Sequence, residues 1–133
     1  MFLVSACLLG LETRYDLKTK SDPKILKLAK GQLLVPICPE QLGGLPTPRP
    51  PAQIIGGNGL DVLMGRASVV DKEGRDVTRE FIRGAQQVLR IARLLDIEKA
   101  YLKAKSPSCG YRMVLGVTAA LLVSSGISVV EID

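Results

Sequence analysis

The stretch AYLKAKSPSCG, residues 100–110, decides the fold. Ala100 to Ala104 reads as a strand, and it runs straight into Lys105-Ser106-Pro107-Ser108-Cys109. A core thiol ordinarily sits among apolar neighbours. Cys109 is instead flanked by hydroxyls, a rigid proline and a permissive glycine, as a residue held in a loop would be. Upstream, the apolar period over residues 76–95 is helical. Val77, Phe81, Ala85, Val88, Ala92 and Leu95 form one stripe, and Arg79, Glu80, Arg83, Gln86, Gln87, Arg90 and Arg93 lie away from it. Asp76 or Thr78 is placed to cap this helix. Downstream, Val117 to Val123 predicts a second helix, Gly126 ends it, and Ile127 to Ile132 predicts a final strand.

The first half of the chain repeats the alternation. Phe2-Leu3-Val4 is a short apolar run that ends in Ser5-Ala6-Cys7. Asp22-Pro23 predicts a helix start, with Asp22 as cap and proline in the first turn. Gly31 stops that helix, and Leu33-Leu34-Val35-Pro36-Ile37 leads to Cys38. Residues 52–75 carry turn signals at Gly56-Gly57-Asn58-Gly59 and Glu73-Gly74, which predicts a loop or hairpin excursion. Alternating strands and helices imply an α/β architecture: one three-layer, Rossmann-like domain over residues 1–133, its mostly parallel sheet covered by helices on both faces. Ligands of such sheets bind beyond the carboxyl ends of the strands. Cys7, Cys38 and Cys109 each follow a predicted strand, so parallel strands would bring all three thiols to one edge.

Composition excludes several classes. A chain of 133 residues is long enough to bury one core, and 47% hydrophobic residues exclude a disordered one. Aromatic residues are 4% and tryptophan is absent, so the core must be aliphatic. The net charge of +5 is a modest positive field. No basic run is interleaved with aromatics that would stack bases, so nucleic-acid binding is not expected. FLVSACLLGL lacks the positive region of a signal peptide. VTAALLVSSGISVV is broken by Ser-Ser-Gly and falls short of the roughly 20 residues of a membrane span. A cytoplasmic protein without membrane partners is expected. Three cysteines in a reducing compartment argue against a disulfide framework.

Three thiolates at one point suit zinc, copper(I) or an iron–sulfur cluster. A closed zinc site takes four ligands, usually Cys and His. This chain has no histidine and no fourth cysteine, so zinc would need a carboxylate or water. In a cubane cluster of four irons, three thiolates leave one iron open to a substrate. Three unrelated buried cysteines remain the plain alternative. The loop CPEQLGGLPTPRPP, from Cys38 to Pro51, holds five of the eight prolines and two adjacent glycines, a composition for a stiff, placed loop. Glu40, beside Cys38, is a candidate ligand or general base. Arg49 is a candidate for an anionic or carbonyl group of a substrate, or for a salt bridge within the loop, and Ser108 is a further candidate for substrate contact.

SACLLG at residues 5–10, RYD at 14–16, CPEQLGGLPTPRPPAQI at 38–54, DVT at 76–78 with Phe81, Gly84 and Ala85, KSPSCG at 105–110 and GVTAALL at 116–122 follow in order. Over nearly its whole length the chain resembles the thiouracil desulfurase family, long catalogued as a domain of unknown function. The resemblance implies removal of sulfur from a thiolated uracil or related thio-nucleobase, with C=S replaced by C=O. It implies a [4Fe-4S] cluster held by Cys7, Cys38 and Cys109, with the fourth iron taking the substrate sulfur, and such a cluster is easily lost in air. It also implies a catalytic pair, Glu40 and Ser106, for proton handling and positioning of water. The family pattern has a longer segment where this chain has only Tyr111 to Leu115, which predicts a more open pocket and a different substrate. It also has glycine where this chain has Leu17. A non-catalytic iron–sulfur or zinc module with a redox-sensing role, and a protein handling thiolated RNA, stay open.

Overall fold

In the computed structural model, which describes residues 1–133, the elements in chain order are β1 (Phe2–Ser5), a 3-10 turn (Ala6–Leu9), α1 (Pro23–Leu28), β2 (Leu34–Ile37), α2 (Pro39–Leu42), β3 (Ala52–Ile55), α3 (Gly59–Leu63), β4 (Ser68–Asp71), α4 (Thr78–Leu94), β5 (Lys99–Lys103), α5 (Val117–Ser124) and β6 (Ser128–Ile132). Four strands pair in parallel in the order β2-β1-β5-β6. Phe2 stands opposite Leu34, Leu3 opposite Ala100, and Lys99 opposite Ser128. Parallel strands are covered on both faces, so they read as continuous apolar runs. Pro36 is tolerated because β2 is an edge strand.

The strand period of two divides the core. Leu3, Ile37, Ala100 and Leu102 pack against Val88 and Ala92 of α4 and Ala119 and Leu122 of α5. Val4 points the other way, into Leu8 and Ile25, with Leu34, Tyr101 and Ile132 around them. Helices therefore cover both faces, and the three-layer α/β arrangement expected from the sequence is present. Asp22 caps α1 as expected, accepting from the N–H groups of Lys24 (2.9 Å) and Ile25 (3.1 Å).

Residues 52–75 form the expected excursion. β3 and β4 pair antiparallel, and α3 sits in their connection. Val62, Val69, Phe81, Ala85 and Val117 make a second core between this hairpin and the N-terminal half of α4. The α4 stripe thus serves two partners, the hairpin through Phe81 and Ala85 and the sheet through Val88 and Ala92. Leu95 departs from it: it lies just past the helix and is exposed.

Two features place the site. β1 is followed on one side by β2, and β5 then joins its other side, so the chain reverses its winding between β1 and β5. Such a switch point opens a crevice at the carboxyl ends of the strands. Ser5 Oγ accepts a 2.9 Å bond from the Lys103 amide and holds the two strand ends together there. Separately, α2 lies directly on α4. A Cβ at Gly43 would strike the Glu80 carbonyl, and one at Gly84 would strike the Pro39 carbonyl, so glycine at both positions sets how closely α2 approaches. No helix is long and apolar enough to cross a membrane.

Candidate functional site

Each cysteine leaves the sheet in a different way. Cys7 lies in the 3-10 turn after β1 and is buried. Cys38 immediately follows β2 as the residue before α2, and its thiol faces the Thr13 carbonyl at 3.6 Å. Cys109 sits in the loop after β5 and is buried. All three are free and line one cavity of about 450 Å³ at the switch point, together with Glu40, Arg49, Ser106 and Ser108. Every candidate from the sequence therefore faces the same space. No three of the cysteine, aspartate and glutamate side chains converge closely enough to hold a single metal ion.

The Cys109 loop is built by its own backbone. Ser106 Oγ accepts from the Ser108 amide (3.2 Å) and the Cys109 amide (3.1 Å). The carbonyl of Pro107 accepts from Val117 (2.9 Å), and that of Ser108 accepts from Thr118 (2.9 Å) and Ala119 (3.1 Å). Those three N–H groups are in the first turn of α5, where helix amides lack partners within the helix. The helix terminus is thus spent on fixing the loop that presents Ser106, Ser108 and Cys109.

Glu40 has both oxygens engaged. Oε1 accepts 2.9 Å from Arg49 Nε, and Oε2 accepts 3.1 Å from Ser108 Oγ. Ser108 Oγ is in turn 3.0 Å from Ser106 Oγ. An ionised carboxylate only accepts, so Ser108 is the donor in its bond to Glu40, and its hydroxyl also lies 3.8 Å from Cys109 Sγ. Ser106 then donates to Ser108, and the chain runs in one direction, from Ser106 through Ser108 to Glu40. The sequence offered both serines but not this order, because nothing in S-P-S says which hydroxyl turns towards Glu40. The Arg49 guanidinium also reaches Pro46 O (3.2 Å), Thr47 Oγ1 (2.8 Å), Thr13 O (3.1 Å) and Cys38 Sγ (4.0 Å).

Cations gather at the same cavity, which the sequence reading passed over. Arg14, Lys20, Lys103 and Lys105 line it. Asp16 holds Arg14 at 3.2 and 3.3 Å, and the guanidinium lies 5.4 Å from the Tyr15 ring centre. Burial pushes the Cys7 thiol up from its ordinary value, while Arg14 and Lys103 oppose the shift. Burial pushes Cys109 up to about 12 against the hydroxyls of Ser5 and Ser108. In the metal-free protein both thiols are therefore neutral at ordinary pH.

The two departures from the family pattern have structural readings. Leu17 has φ +63° and donates its N–H to the Arg14 carbonyl at 3.1 Å, so this turn asks for the left-handed conformation that glycine supplies freely. Residues 111–115 do not line the cavity. The Arg112 amide donates to Glu131 at 2.8 Å and the Leu115 carbonyl accepts from Gly59 at 2.7 Å, which tethers the segment to β6 and α3.

A model of the 2-thiouracil desulfurase family matches residues 2–133. The chain belongs to that family. Membership makes it an enzyme. It is 43% identical over 143 aligned positions to the uncharacterized protein YbbK of Bacillus subtilis (strain 168), covering 98% of this chain and 95% of that protein. The aligned 143 positions exceed this chain's 133 residues, so at least ten positions of the relative have no counterpart here. Among solved structures it is similar to the [4Fe-4S]-dependent thiouracil desulfidase TudS, with 39% identity and a TM-score of 0.82 over 98% of this chain and 89% of that one. For this member of the desulfurase family, the mostly parallel α/β fold is thus the fold of that neighbour.

Proposed function

We propose that this desulfurase-family protein converts the C=S of a thiolated uracil, or of a closely related thio-nucleobase, to C=O, using a [4Fe-4S] cluster ligated by Cys7, Cys38 and Cys109. One observation carries the reading: three thiols, a carboxylate and two hydroxyls from three separate segments line one cavity at the switch point of the sheet. The donor set fits the cluster. Three cysteines and no histidine leave a single zinc ion short of the four ligands it usually takes, whereas in a cubane each thiolate holds its own iron and one iron is left open. When bound, the cluster supplies an iron without a protein ligand, a Lewis acid matched to the soft sulfur of the substrate.

The chain's own residues supply the rest. The net reaction is hydrolytic: C=S plus water gives C=O plus hydrogen sulfide, and no electrons are gained or lost. Glu40 accepts a proton from the attacking water, directly or through the Ser106–Ser108 chain, whose hydrogen bonds already point towards it. The same proton is available to the departing sulfide on the way out. Tyr15 is the one aromatic side chain lining the cavity, where a planar base can pack against it. Arg14 and Lys103, the cations that act on Cys7, offset the negative charge that three thiolates bring.

The test is anaerobic reconstitution of wild type, Glu40→Gln and Ser106→Ala, with iron, sulfide and uracil release measured on the same samples. Wild type should bind iron and sulfide in near-equal amounts and release uracil from thiouracil. Both variants should keep the iron and lose roughly 100- to 10,000-fold in rate, the usual worth of general acid–base help. Zinc as the only bound metal, or iron without turnover, would leave a non-catalytic module. Loss of iron in Glu40→Gln would make Glu40 a fourth ligand and the site a closed, structural one.

A further inference from the structure

Arg49 faces a cavity proposed to hold a polar base, and an arginine there reads first as a substrate-binding residue. Its surroundings contradict that role. The side chain is only 5% exposed. A guanidinium has five N–H donors. Here Nε goes to Glu40, the Nη1 pair to Pro46 O and Thr47 Oγ1, and the Nη2 pair to Thr13 O and Cys38 Sγ. None is left for a ligand, and diverting one would strand a buried partner, which is costly.

These partners belong to three segments that are separated in the sequence. Thr13 follows the Cys7 turn, Cys38 and Glu40 open α2, and Pro46 and Thr47 lie in the proline-rich loop. The Thr13 carbonyl receives both the Arg49 guanidinium and the Cys38 thiol. The Arg49 backbone N–H adds a 3.0 Å bond to the Tyr15 carbonyl, so the same residue holds the 13–15 stretch at two points. Gln41 also donates to Thr47 Oγ1, at 2.7 Å. With Glu40 Oε1 taken by Arg49, only Oε2 is free to meet Ser108.

We propose that Arg49 is the positioning residue of this site: it contacts no substrate, and it fixes the Glu40 carboxylate and the Cys38 thiol relative to each other by spending all five donors on neighbouring protein groups. This rests on the desulfurase reading for its kinetic consequence, but its geometric content stands apart from that reading. Arginine is required because its planar fork donates in three directions at once, whereas the single ammonium of lysine cannot span Glu40, Thr13 and Thr47 together.

The experiment compares wild type with Arg49→Lys. In the reconstituted enzyme, kcat should fall ten- to a hundred-fold, the usual cost of removing a group that orients a ligand or catalyst. KM should stay within about two-fold, since no substrate contact is lost. Added guanidinium ion should restore part of kcat in Arg49→Gly by refilling the vacated position. A second readout needs no activity: a crystal structure of metal-free Arg49→Lys should show the Glu40 carboxylate turned away from Ser108. If Arg49→Lys does not fold, Arg49→Gln carries the same two readouts. A KM raised ten-fold or more at unchanged kcat would make Arg49 a substrate donor and overturn the proposal. So would a variant with wild-type kcat, or an unmoved Glu40. Failure of the wild type to desulfurate would instead defeat the functional reading, and the position of Glu40 in the metal-free variant would still decide the role of Arg49.

Discussion

Ser108 is almost fully buried, yet its hydroxyl stands between the two residues best suited to proton handling. Beyond these two, its hydroxyl reaches only Cys109 Sγ, at a long 3.8 Å. The loop around it is fixed by backbone groups and by Ser106 Oγ, all of which remain in Ser108→Ala. That substitution should therefore leave the loop and the iron content intact while cutting Ser106 off from Glu40. Turnover should drop to the level of Ser106→Ala, and the double variant should be no slower than either single, because groups acting as one unit lose their effect together. Independent, multiplying losses would show that the two hydroxyls do not act in series. At this scale the sequence was legible where a residue type was itself unusual: cysteines beyond strand ends, and a glutamate two positions from one of them. The partners of Arg49 were not legible, because they depend on how the loop from Pro39 to Pro51 folds back onto Thr13.

Glu40 is aimed by α2, a helix of four residues whose direction its own hydrogen bonds scarcely define. What defines it is the backbone contact with α4 through Gly43 and Gly84. Gly84→Ala should therefore act on both stability and activity. Overpacking of this kind costs about 1–3 kcal/mol, and relief by sliding α2 outward would carry Glu40 away from Ser108. Turnover should fall well beyond what the drop in melting temperature accounts for, while Gly31→Ala, with nothing within 4 Å of the added carbon, should be near-neutral in both. A Gly84→Ala protein with wild-type turnover would show that the approach of α2 is not what positions the carboxylate. The same contrast explains which elements could be read from sequence. The 17 residues of α4 show several turns of a helical stripe. The helices α2 and α3 and the 3-10 turn carrying Cys7 run for only four or five residues, too few for any period to emerge. α3 owes its existence to the Asn58–Asp61 capping box, in a stretch whose glycines read as a plain turn.

For the molecule as a whole, the cavity imposes a linkage between thiol protonation and folding. Burial holds Cys109 up at about 12 and raises Cys7 above its ordinary 9.0. Below the unfolded-state value, both thiols are protonated in either state and contribute no pH dependence. Above it, the unfolded chain releases protons that the metal-free native protein retains, so stability falls as pH rises, by up to about 1.4 kcal/mol per pH unit for each such thiol. The window opens near 9.0 and, for Cys109, closes at about 12. Ligation of iron reverses the preference, since a bound thiolate must be deprotonated, and loading the protein at neutral pH should release protons. Denaturant unfolding of the metal-free protein at about pH 8 and about pH 10.5 should show the loss. The comparison that isolates the effect is with Cys109→Ala. The wild type should lose more stability than the variant across the same interval, and the cluster-loaded wild type should not share that extra loss. Equal losses in wild type and Cys109→Ala would mean that the thiol is not held in its neutral form, and that the sheet edge is wetter than its burial suggests.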